Sequence, residues 1–407
     1  MKMKLALLSN AYPPQVKRGI GVVTHMLASG LRERNHDVTV FTVKLLAAAS
    51  RASIGKLEEQ VEGVRVVRVE LTPARWMRWR PGCYWTRWMM RRILADYHAR
   101  FGFDVIECMD AEGWLPWGVA GGVPLAVRCH GAIYYFDESM GLNTGDRLVA
   151  AFERSTISRA QVVVGVSRFI LEAQIGLLKR KWSGWSETIH NAVDINLFSP
   201  SEVASPRSAS ERAVVFVGAL HERKGVFVLA DAAARILRTF EDVVFRVYGP
   251  DYHRPVHGQS TAERILSRLP VDLHHRFEVV PPVERTEGGL VRVLRDAAVC
   301  CFPSQREPFG LTVVEAMACG RPVVFGDEGA ARELIEDGVS GLLCDPRSPE
   351  AVADRIRLVL ADGCRAERMG MDARHRVCEL FSPDRLVDRS LDLYRRMIRA
   401  SGRPLVQ

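Results

Sequence analysis

Two glutamates frame the segment EPFGLTVVE, in which Glu307 and Glu315 stand eight positions apart. A Pro-Phe-Gly break follows the first carboxylate, and a short apolar run, predicted to start a helix near Leu311, leads to the second. The first N–H groups of a helix have no acceptor inside it, so the amides of residues 309–312 form a site for an anion or a hydroxyl. A carboxylate only accepts hydrogen bonds and can bridge two vicinal hydroxyls. This spacing therefore suits a ligand rich in hydroxyls and phosphate, although an ordinary acidic helix N-terminus is the alternative for the pair alone.

A second cluster of polar residues lies in VFVGALHERKG, residues 215–225. A buried strand is predicted to end at Gly218, and the loop after it carries Arg223 and Lys224. Ligands of open α/β sheets bind beyond the carboxyl ends of the strands, and the strand AVCCFPS likewise ends at Ser304, just before Glu307. Two cations there can hold a diphosphate, since charge-assisted hydrogen bonds contribute about 1.5–3 kcal/mol each. An exposed basic loop is the alternative.

The amino-terminal half offers two weaker candidates. SNAYPPQVKRGIGVV, residues 9–23, places Gly19 and Gly21 in a turn between a predicted strand and helix, where glycine lets the backbone approach a ligand. The spacing is not GxGxxG, so no nicotinamide-binding fingerprint is present there. His130 ends the predicted strand PLAVRCH. A single histidine is more often structural, but its position at a strand end makes it a candidate site residue.

Short apolar runs alternate with helical segments in both halves of the chain, which predicts two α/β domains with parallel sheets covered on both faces. The predicted boundaries are an N-terminal domain over 1–193, a Ser- and Pro-rich linker over 194–212, a C-terminal domain over 213–381 and an amphipathic helix in 382–407. The predicted strands are 4–9, 37–43, 64–70, 104–109, 124–130, 161–167 and 187–193, then 213–219, 243–249, 277–283, 298–304, 322–327 and 341–346.

Bulk composition agrees with two globular domains. The chain has 407 residues, 47% of them hydrophobic, a net charge of +8 and a pI of about 9.1. A basic balance suits a phosphorylated ligand or an anionic surface, although a general preference for arginine explains it equally well. The nine cysteines show no metal-binding spacing, and the apolar run at the N-terminus stops at Leu8. We therefore expect a cytoplasmic protein without a metal site or a membrane span.

Several segments together resemble the family 4 retaining glycosyltransferases. REPFGLTVVEAMACGRPVV is similar to the family's E-x₇-E signature, and PPQVKRGIGVVTHMLASGLRERNHDVTV is similar to its N-terminal glycine-rich loop and helix. IHNAVDINLFSP, VFVGALHERKG and GDEGAARELIEDGVSGLLCDP follow in the family's order. The resemblance covers nearly the whole chain. It implies the GT-B fold, in which two Rossmann-like doubly wound domains face a central cleft and the last helix crosses back to the N-terminal domain.

The resemblance also implies roles for individual residues. Glu307, His130 and Lys224 are expected to be catalytic, with Glu307 facing the donor sugar, His130 beside it and Lys224 on the diphosphate of a nucleoside diphosphate sugar. Glu315 is expected to hold the ribose. The sugar would pass to an acceptor hydroxyl with retention at the anomeric carbon, without metal or another cofactor. The expected donor-binding residues are Gly19, Gly21, Gly218, Arg223, Lys224, Ser304, Phe309, Gly310, Leu311, Thr312 and Glu315.

Two positions depart from the family pattern. Ala219 stands where the family commonly has arginine, so one cation for the diphosphate is missing and Arg223 is expected to replace it. Ile20 separates two glycines that are usually adjacent. Two rival functions stay open: a sugar-nucleotide epimerase or phosphorylase on the same fold, or a non-catalytic nucleotide-sugar-binding protein, which Ala219 motivates.

The segment RWMRWRPGCYWTRWMMRRILADYHARF, residues 75–101, interleaves arginine with tryptophan in the half where this fold binds the acceptor. Such a composition suits an anionic membrane surface with a lipid-linked acceptor, at the inner face of the membrane. It suits stacking on a sugar or another aromatic acceptor as well. An amphipathic helix packed on the sheet with a solvated arginine face is equally favoured, and nucleic acid is not expected as a partner.

Overall fold

The computed structural model describes residues 2–14, 19–77, 80–132, 147–178, 182–201, 211–251 and 259–402. The chain divides into two compact units. The first contains Met1–Ala192 together with Pro383–Gln407, and the second is Val193–Ser382. Both are mixed α/β structures, which confirms the predicted fold class.

The sheet of the first unit has eight strands in the order β3-β4-β2-β1-β5-β6-β7-β8. All neighbours are parallel except β3 and β4, which are antiparallel. The order runs outward in both directions from β1 and β5, so the chain reverses its direction of travel between them. The strands are β1 Lys4–Ser9, β2 Asp37–Leu45, β3 Ser53–Val61, β4 Val64–Thr72, β5 Val105–Met109, β6 Leu125–Cys129, β7 Val162–Gly165 and β8 Trp185–Thr188.

Helices with one apolar side cover this sheet. Val23, Leu27 and Leu31 recur at helical spacing in the first helix and are buried. The described helices of the unit are α1 Gly19–Glu33, α2 Arg80–Phe101, α3 Arg147–Ser158, α4 Arg168–Leu178 and, from the end of the chain, Pro383–Ala400. None of the helices in the described ranges combines the length and the hydropathy that crossing a membrane requires.

A buried ion pair joins the C-terminal helix Pro383–Ala400 to the sheet of the first unit. Arg128 Nε donates to Glu107 Oε1 at 2.7 Å, and Arg128 Nη2 donates to Ser390 Oγ at 3.1 Å. Tyr394 Oη donates to Glu107 Oε2 at 2.9 Å. All four side chains are buried. Because each charge has a charged or hydroxyl partner, the cluster fixes this helix against β5 and β6.

The sheet of the second unit has six parallel strands in the order β11-β10-β9-β12-β13-β14. This is the strand order of a Rossmann fold, and it reverses between β9 and β12. Near-continuous Val, Cys and Phe in these strands match burial on both faces. The strands are β9 Arg212–Val217, β10 Val243–Tyr248, β11 Phe277–Val280, β12 Val299–Phe302, β13 Val323–Gly326 and β14 Leu342–Cys344.

Helices follow most strands of the second unit. The helix Val226–Leu237 buries eight of its residues, which explains its almost purely apolar sequence. Gly310 begins the helix that follows β12. The helices, numbered onward in chain order, are α5 Val226–Leu237, α6 Thr261–Leu266, α7 Arg292–Asp296, α8 Leu311–Ala318, α9 Ala331–Leu334, α10 Pro349–Ala361 and α11 Gly363–Leu380. The C-terminal helix Pro383–Ala400 is then α12.

Three details differ from the expected elements. The edge strand β3 was not predicted, because its side chains are mostly exposed and its sequence lacks a buried run. β8 spans Trp185–Thr188, whereas a strand over 187–193 was expected. Of the expected linker 194–212, residues 194–201 belong to the second unit, where Phe198 is buried. Residues 202–210 lie outside the described ranges.

Replacement of Arg128 by Met should leave the Glu107 carboxylate buried without its cation. Removing one partner of a buried ion pair costs about 3–5 kcal/mol. All eight tryptophans lie between positions 76 and 185, so urea unfolding followed by tryptophan fluorescence reports on the first unit. Arg395→Ala removes an exposed pair with Asp392 on the same helix and should change stability by about 1 kcal/mol or less. Equal effects of the two substitutions would contradict the role of the buried cluster.

Candidate active site

The reversal of strand order between β9 and β12 brings two predicted loops together. Gln305 N–H, in the loop after β12, donates to Arg223 C=O, in the loop after β9, at 2.8 Å. Gly225 has φ +75°, and a Cβ on it would lie 1.9 Å from Pro303 C=O. Only glycine allows that approach. The basic turn and the Glu307 loop therefore form one wall at the carboxyl edge of the sheet.

Lys224 and Glu307 form an ion pair in this wall. Lys224 Nζ donates to Glu307 Oε2, and the side chains are 23% and 13% exposed. The backbone at Glu307 is fixed from the other side, because Ala330 N–H donates to Glu307 C=O at 3.1 Å. Arg306 has φ +59°, a left-handed conformation that is uncommon for residues other than glycine. The two charges predicted as catalytic thus lie together and are partly buried.

The helix α8 begins at this wall. Gly310 is its N-cap with φ +98°, and no side chain caps the helix. The N–H groups of its first turn, at Leu311 and Thr312, have no acceptor within the helix. Phe309 is buried with its ring edge-on to Phe381 at 5.7 Å, so its side chain belongs to the core. The geometry leaves backbone amides, rather than the Phe309 side chain, for a ligand.

Glu315 is buried at 2% exposure on α8 and forms an ion pair with Arg285 through Oε1. Among the residues that the structure describes, Glu315 Oε2 has no hydrogen-bond partner. Arg285 follows β11 and was missed by the sequence analysis. Its position shortly after the carboxyl end of a parallel strand was the available signal. A buried carboxylate oxygen without a partner indicates a ligand donor.

The remaining predicted donor residues of this unit lie around the same wall. Arg223 Nη1 donates to Arg306 C=O at 3.3 Å. Gly218 N–H donates to Tyr248 C=O at 2.9 Å, and a Cβ on the neighbouring Gly249 would lie 1.7 Å from Gly218 C=O. Ser304 is buried. The structure thus gathers these residues near the ends of β9, β10 and β12, and their roles in donor binding stay predictions.

In the first unit, His130 is fixed by a carboxylate that the sequence analysis missed. Asp110, fully buried after β5, accepts from His130 N–H at 3.0 Å and from Gly131 N–H at 3.2 Å. Burial raises the pKa of Asp110 to about 6, against the opposing effect of these hydrogen bonds. Burial and then Arg128 lower the pKa of His130, so its imidazole is neutral at pH 7. The strand-end positions of both residues explain why they meet.

The two predicted glycines of the first unit have different surroundings. A Cβ on Gly21 would lie 2.9 Å from Ala11 Cβ, so Gly21 allows α1 to pack against the loop after β1. Gly19 has φ +46° at the start of α1, and none of the residues that the structure describes lies within 4 Å of an added Cβ. The described part of the chain therefore does not obstruct the approach of a ligand to Gly19.

Comparisons with known proteins agree with this architecture. Residues 201–376 match the family model described as "Glycosyl transferases group 1", and residues 18–178 match "Glycosyl transferase 4-like domain". A D-inositol 3-phosphate glycosyltransferase of Xylanimonas cellulosilytica is 30% identical over 406 aligned residues, covering 92% of this chain and 91% of that protein. A glycogen synthase of Mycobacterium tuberculosis is 26% identical, covering 99% and 97%.

Solved structures share the fold. Sucrose-phosphate synthase of Thermosynechococcus elongatus aligns with a TM-score of 0.75 and 22% identity, covering 98% of this chain and 100% of that chain. Anabaena HepE, solved in complex with UDP-glucose, aligns with a TM-score of 0.69 and 20% identity, covering 97% and 100%.

The two doubly wound sheets have the GT-B fold that these solved structures share. The matches along nearly the whole chain go further: this protein belongs to the family 4 glycosyltransferases, enzymes that move a sugar from a nucleotide-sugar donor. The comparisons do not favour the epimerase, phosphorylase or non-catalytic alternatives.

Asp110 predicts a pH dependence of stability. Its folded-state pKa of about 6 lies above the ordinary aspartate pKa of 3.8, so the folded protein binds more protons than the unfolded chain between those values. The contribution of Asp110 to the free energy of unfolding therefore falls by about 3 kcal/mol as pH rises from about 4 to 7. Asp110→Asn should abolish this slope in urea titrations followed by tryptophan fluorescence. Asp37→Asn, at an exposed site, serves as the control, and parallel curves for wild type and Asp110→Asn would refute the raised pKa.

Proposed function

We propose that the wall formed by the β9 and β12 loops binds the diphosphate and the sugar of a nucleoside diphosphate sugar. The observation that carries this proposal is the ion pair of Lys224 and Glu307, partly buried where the strand order of the second unit reverses. In such folds that crevice is the ligand site. A lysine can balance phosphate charge, and a carboxylate can accept from sugar hydroxyls.

Each part of the wall then has a distinct task. Lys224 turns from Glu307 toward the diphosphate, while Glu307 accepts hydrogen bonds from the donor sugar. The first-turn amides of α8 bind phosphate or hydroxyl oxygens, and Glu315 Oε2 accepts from the ribose. Arg223 supplies the second cation, in the role that Ala219 cannot fill. His130, neutral at pH 7, serves the sugar as a hydrogen-bonding group rather than as a cation.

The proposed reaction retains the anomeric configuration. The acceptor hydroxyl attacks the anomeric carbon on the face from which the diphosphate leaves. The bond from that carbon to the phosphate oxygen breaks, the new glycosidic bond forms, and the hydroxyl proton passes to an oxygen of the departing diphosphate. Positive charge from Lys224 and the α8 amides stabilises the charge that grows on that leaving group. We therefore propose that transfer needs neither a metal nor another cofactor, so activity should survive chelation by EDTA.

Glu307→Gln should lower kcat by at least about 100-fold, because a neutral amide loses both the charge beside the sugar and the pairing with Lys224. The donor screen begins with UDP-glucose, the ligand of Anabaena HepE, and extends to other nucleoside diphosphate sugars. Release of nucleoside diphosphate gives the rate, and NMR of the product gives its anomeric configuration. Glu278→Gln, at an exposed edge-strand site, is the control. A near-normal rate for Glu307→Gln would remove Glu307 from the site.

We propose in addition that the first unit contacts an anionic membrane at the cytoplasmic face. The Arg/Trp segment has both buried and exposed side chains. Arg87 is buried over the Trp114 ring at 4.8 Å, as the packed-helix alternative requires. Four aromatic side chains, three in this segment and Trp117 beyond it, are exposed. Trp76 is 76% exposed, Tyr84 and Trp88 are each 46% exposed, and Trp117 is 38% exposed.

Arginine side chains accompany these four aromatic side chains, here called the aromatic surface. Arg92 lies over the Trp88 ring at 5.6 Å, and Arg75 and Arg80 are exposed nearby in the chain. Tyr84 stacks on Trp117, which follows the carboxyl end of β5. Exposed aromatic rings beside arginines suit the headgroup region of anionic lipid. Because Trp117 follows a strand whose carboxyl end lies on the side where open α/β sheets bind ligands, we propose a lipid-linked acceptor.

Flotation with vesicles tests the membrane contact. The protein should float with phosphatidylcholine vesicles that contain phosphatidylglycerol, and far less with pure phosphatidylcholine, because each arginine near an anionic surface contributes about 1 kcal/mol. The double variant Trp76→Ser, Trp88→Ser should lose most of this binding. Met371→Ser, at an exposed apolar site of the second unit, is the matched control. No flotation of the wild type with either vesicle would refute the proposal, and binding to soluble glycans instead would indicate sugar stacking.

A further inference from the structure

Arg285 is a largely buried arginine that contacts Glu315 of the candidate site. It lies between β11 and the short segment that precedes α7, and its guanidinium pairs with Glu315 on α8. The side chains of Arg285 and Glu315 are 16% and 3% exposed. Burial lowers the pKa of Arg285 to about 10, so it stays charged at neutral pH. A charge this deeply placed requires a partner, and Glu315 supplies it.

The pair uses only half of the Glu315 carboxylate. Arg285 Nη2 contacts Oε1, whereas Oε2 has no hydrogen-bond partner among the described residues. A carboxylate has room for several donors on its two oxygens. The arrangement therefore holds the carboxylate in one orientation and leaves one buried acceptor for a group that is not part of the protein.

Arg285 also lies against an aromatic ring. Its guanidinium lies 6.0 Å from the centroid of the buried Phe198 ring. Arg374 Nη1 donates to Phe198 C=O at 2.7 Å and to Ala318 C=O at 3.0 Å. Because Ala318 ends α8, Arg374 ties the Phe198 segment to the helix that carries Glu315. The arginine, its aromatic support and its carboxylate partner are thus parts of one fixed assembly.

We propose that Arg285 is a positioning residue that aims Glu315 Oε2 at a ribose hydroxyl and thereby makes donor binding selective for ribose. This inference rests on the proposed function of the second unit as the donor site. Without the arginine, a carboxylate at this depth would turn away, because an unpaired buried charge is strongly unfavourable. A carboxylate that turned away would no longer present its acceptor oxygen to the hydroxyl.

The alternative is that Arg285 binds the donor phosphates directly. The two roles predict different effects of losing Arg285 on ligand affinity. A positioning role affects only ligands with ribose hydroxyls, whereas a phosphate contact affects every nucleoside diphosphate equally. A role in folding alone lowers the melting temperature and leaves ligand preference unchanged.

Calorimetry on the full chain separates these roles. UDP, GDP and ADP are screened first, and the tightest is compared with its 2′,3′-dideoxy counterpart. For the wild type, we expect the dideoxy ligand to bind at least about tenfold more weakly, since a hydrogen bond to a charged group is lost. In Arg285→Met this ratio should fall to about twofold while affinity for the dideoxy ligand stays unchanged. Arg285→Lys should restore part of the ratio.

Equal weakening of both ligands in Arg285→Met would overturn the inference in favour of a phosphate contact, and an unchanged ratio would overturn it in favour of a structural role. Arg268→Met, at an exposed pair with Asp231, is the matched control. If Arg285→Met does not fold, Arg285→Gln is measured in its place. Glu315→Gln separates the positioning role of Arg285 from the ribose-binding role of Glu315. Loss of the ratio in Glu315→Gln but not in the Arg285 variants defeats only the positioning role, whereas no ratio in the wild type defeats the ribose role of Glu315 itself.

Discussion

The proposed donor site depends on one topological constraint, the reversal of strand order between β9 and β12. In open α/β sheets, the crevice at such a reversal, beyond the carboxyl ends of the strands, is where ligands bind. The loop after β9 delivers Lys224 to that space, and the loop after β12 delivers Glu307. Their charges meet because the strands are adjacent, although 83 positions separate them in the chain. The crevice is therefore created by backbone topology and given its chemistry by two side chains.

The ion pair of Lys224 and Glu307 neutralises two partly buried charges when no ligand is bound. A partly buried cation or carboxylate alone would be unfavourable, and each neutralises the other. In the donor complex that we propose, phosphate pairs with the lysine and sugar hydroxyls donate to the carboxylate, so these two ligand groups replace the ion pair. Exchange of one set of charge-assisted hydrogen bonds for another keeps the net change small. Specific binding then depends on geometry, which the left-handed Arg306 and the close approach of Gly225 to Pro303 hold constant.

Sequence reasoning reached most of this architecture because buried parallel strands have a strong local signature. It placed Lys224 and Glu307 after strand ends, where ligand groups belong, but it did not foresee their direct contact, which depends on the order of strands in space. Arg285 was missed for the same reason, since its partner Glu315 is on a different element. The edge strand β3 was missed because an exposed antiparallel strand has no buried pattern to detect. Local pattern thus predicts elements, whereas long-range pairing of charges requires the fold.

In the first unit, too, paired charges and buried hydrogen bonds fix the residues at the ends of the strands. Glu107 and Arg128 form their buried pair in β5 and β6, and the residues just beyond the ends of these two strands are Asp110 and His130. The ion pair, closed by Tyr394 from the C-terminal helix, fixes the relative position of the two strands. Asp110 then accepts both N–H groups of the His130–Gly131 turn. Because the His130 imidazole is neutral, its position depends on these backbone hydrogen bonds rather than on attraction to an anion. Two strands tied by a satisfied buried network can hold His130 in place for the contact with the sugar that we propose.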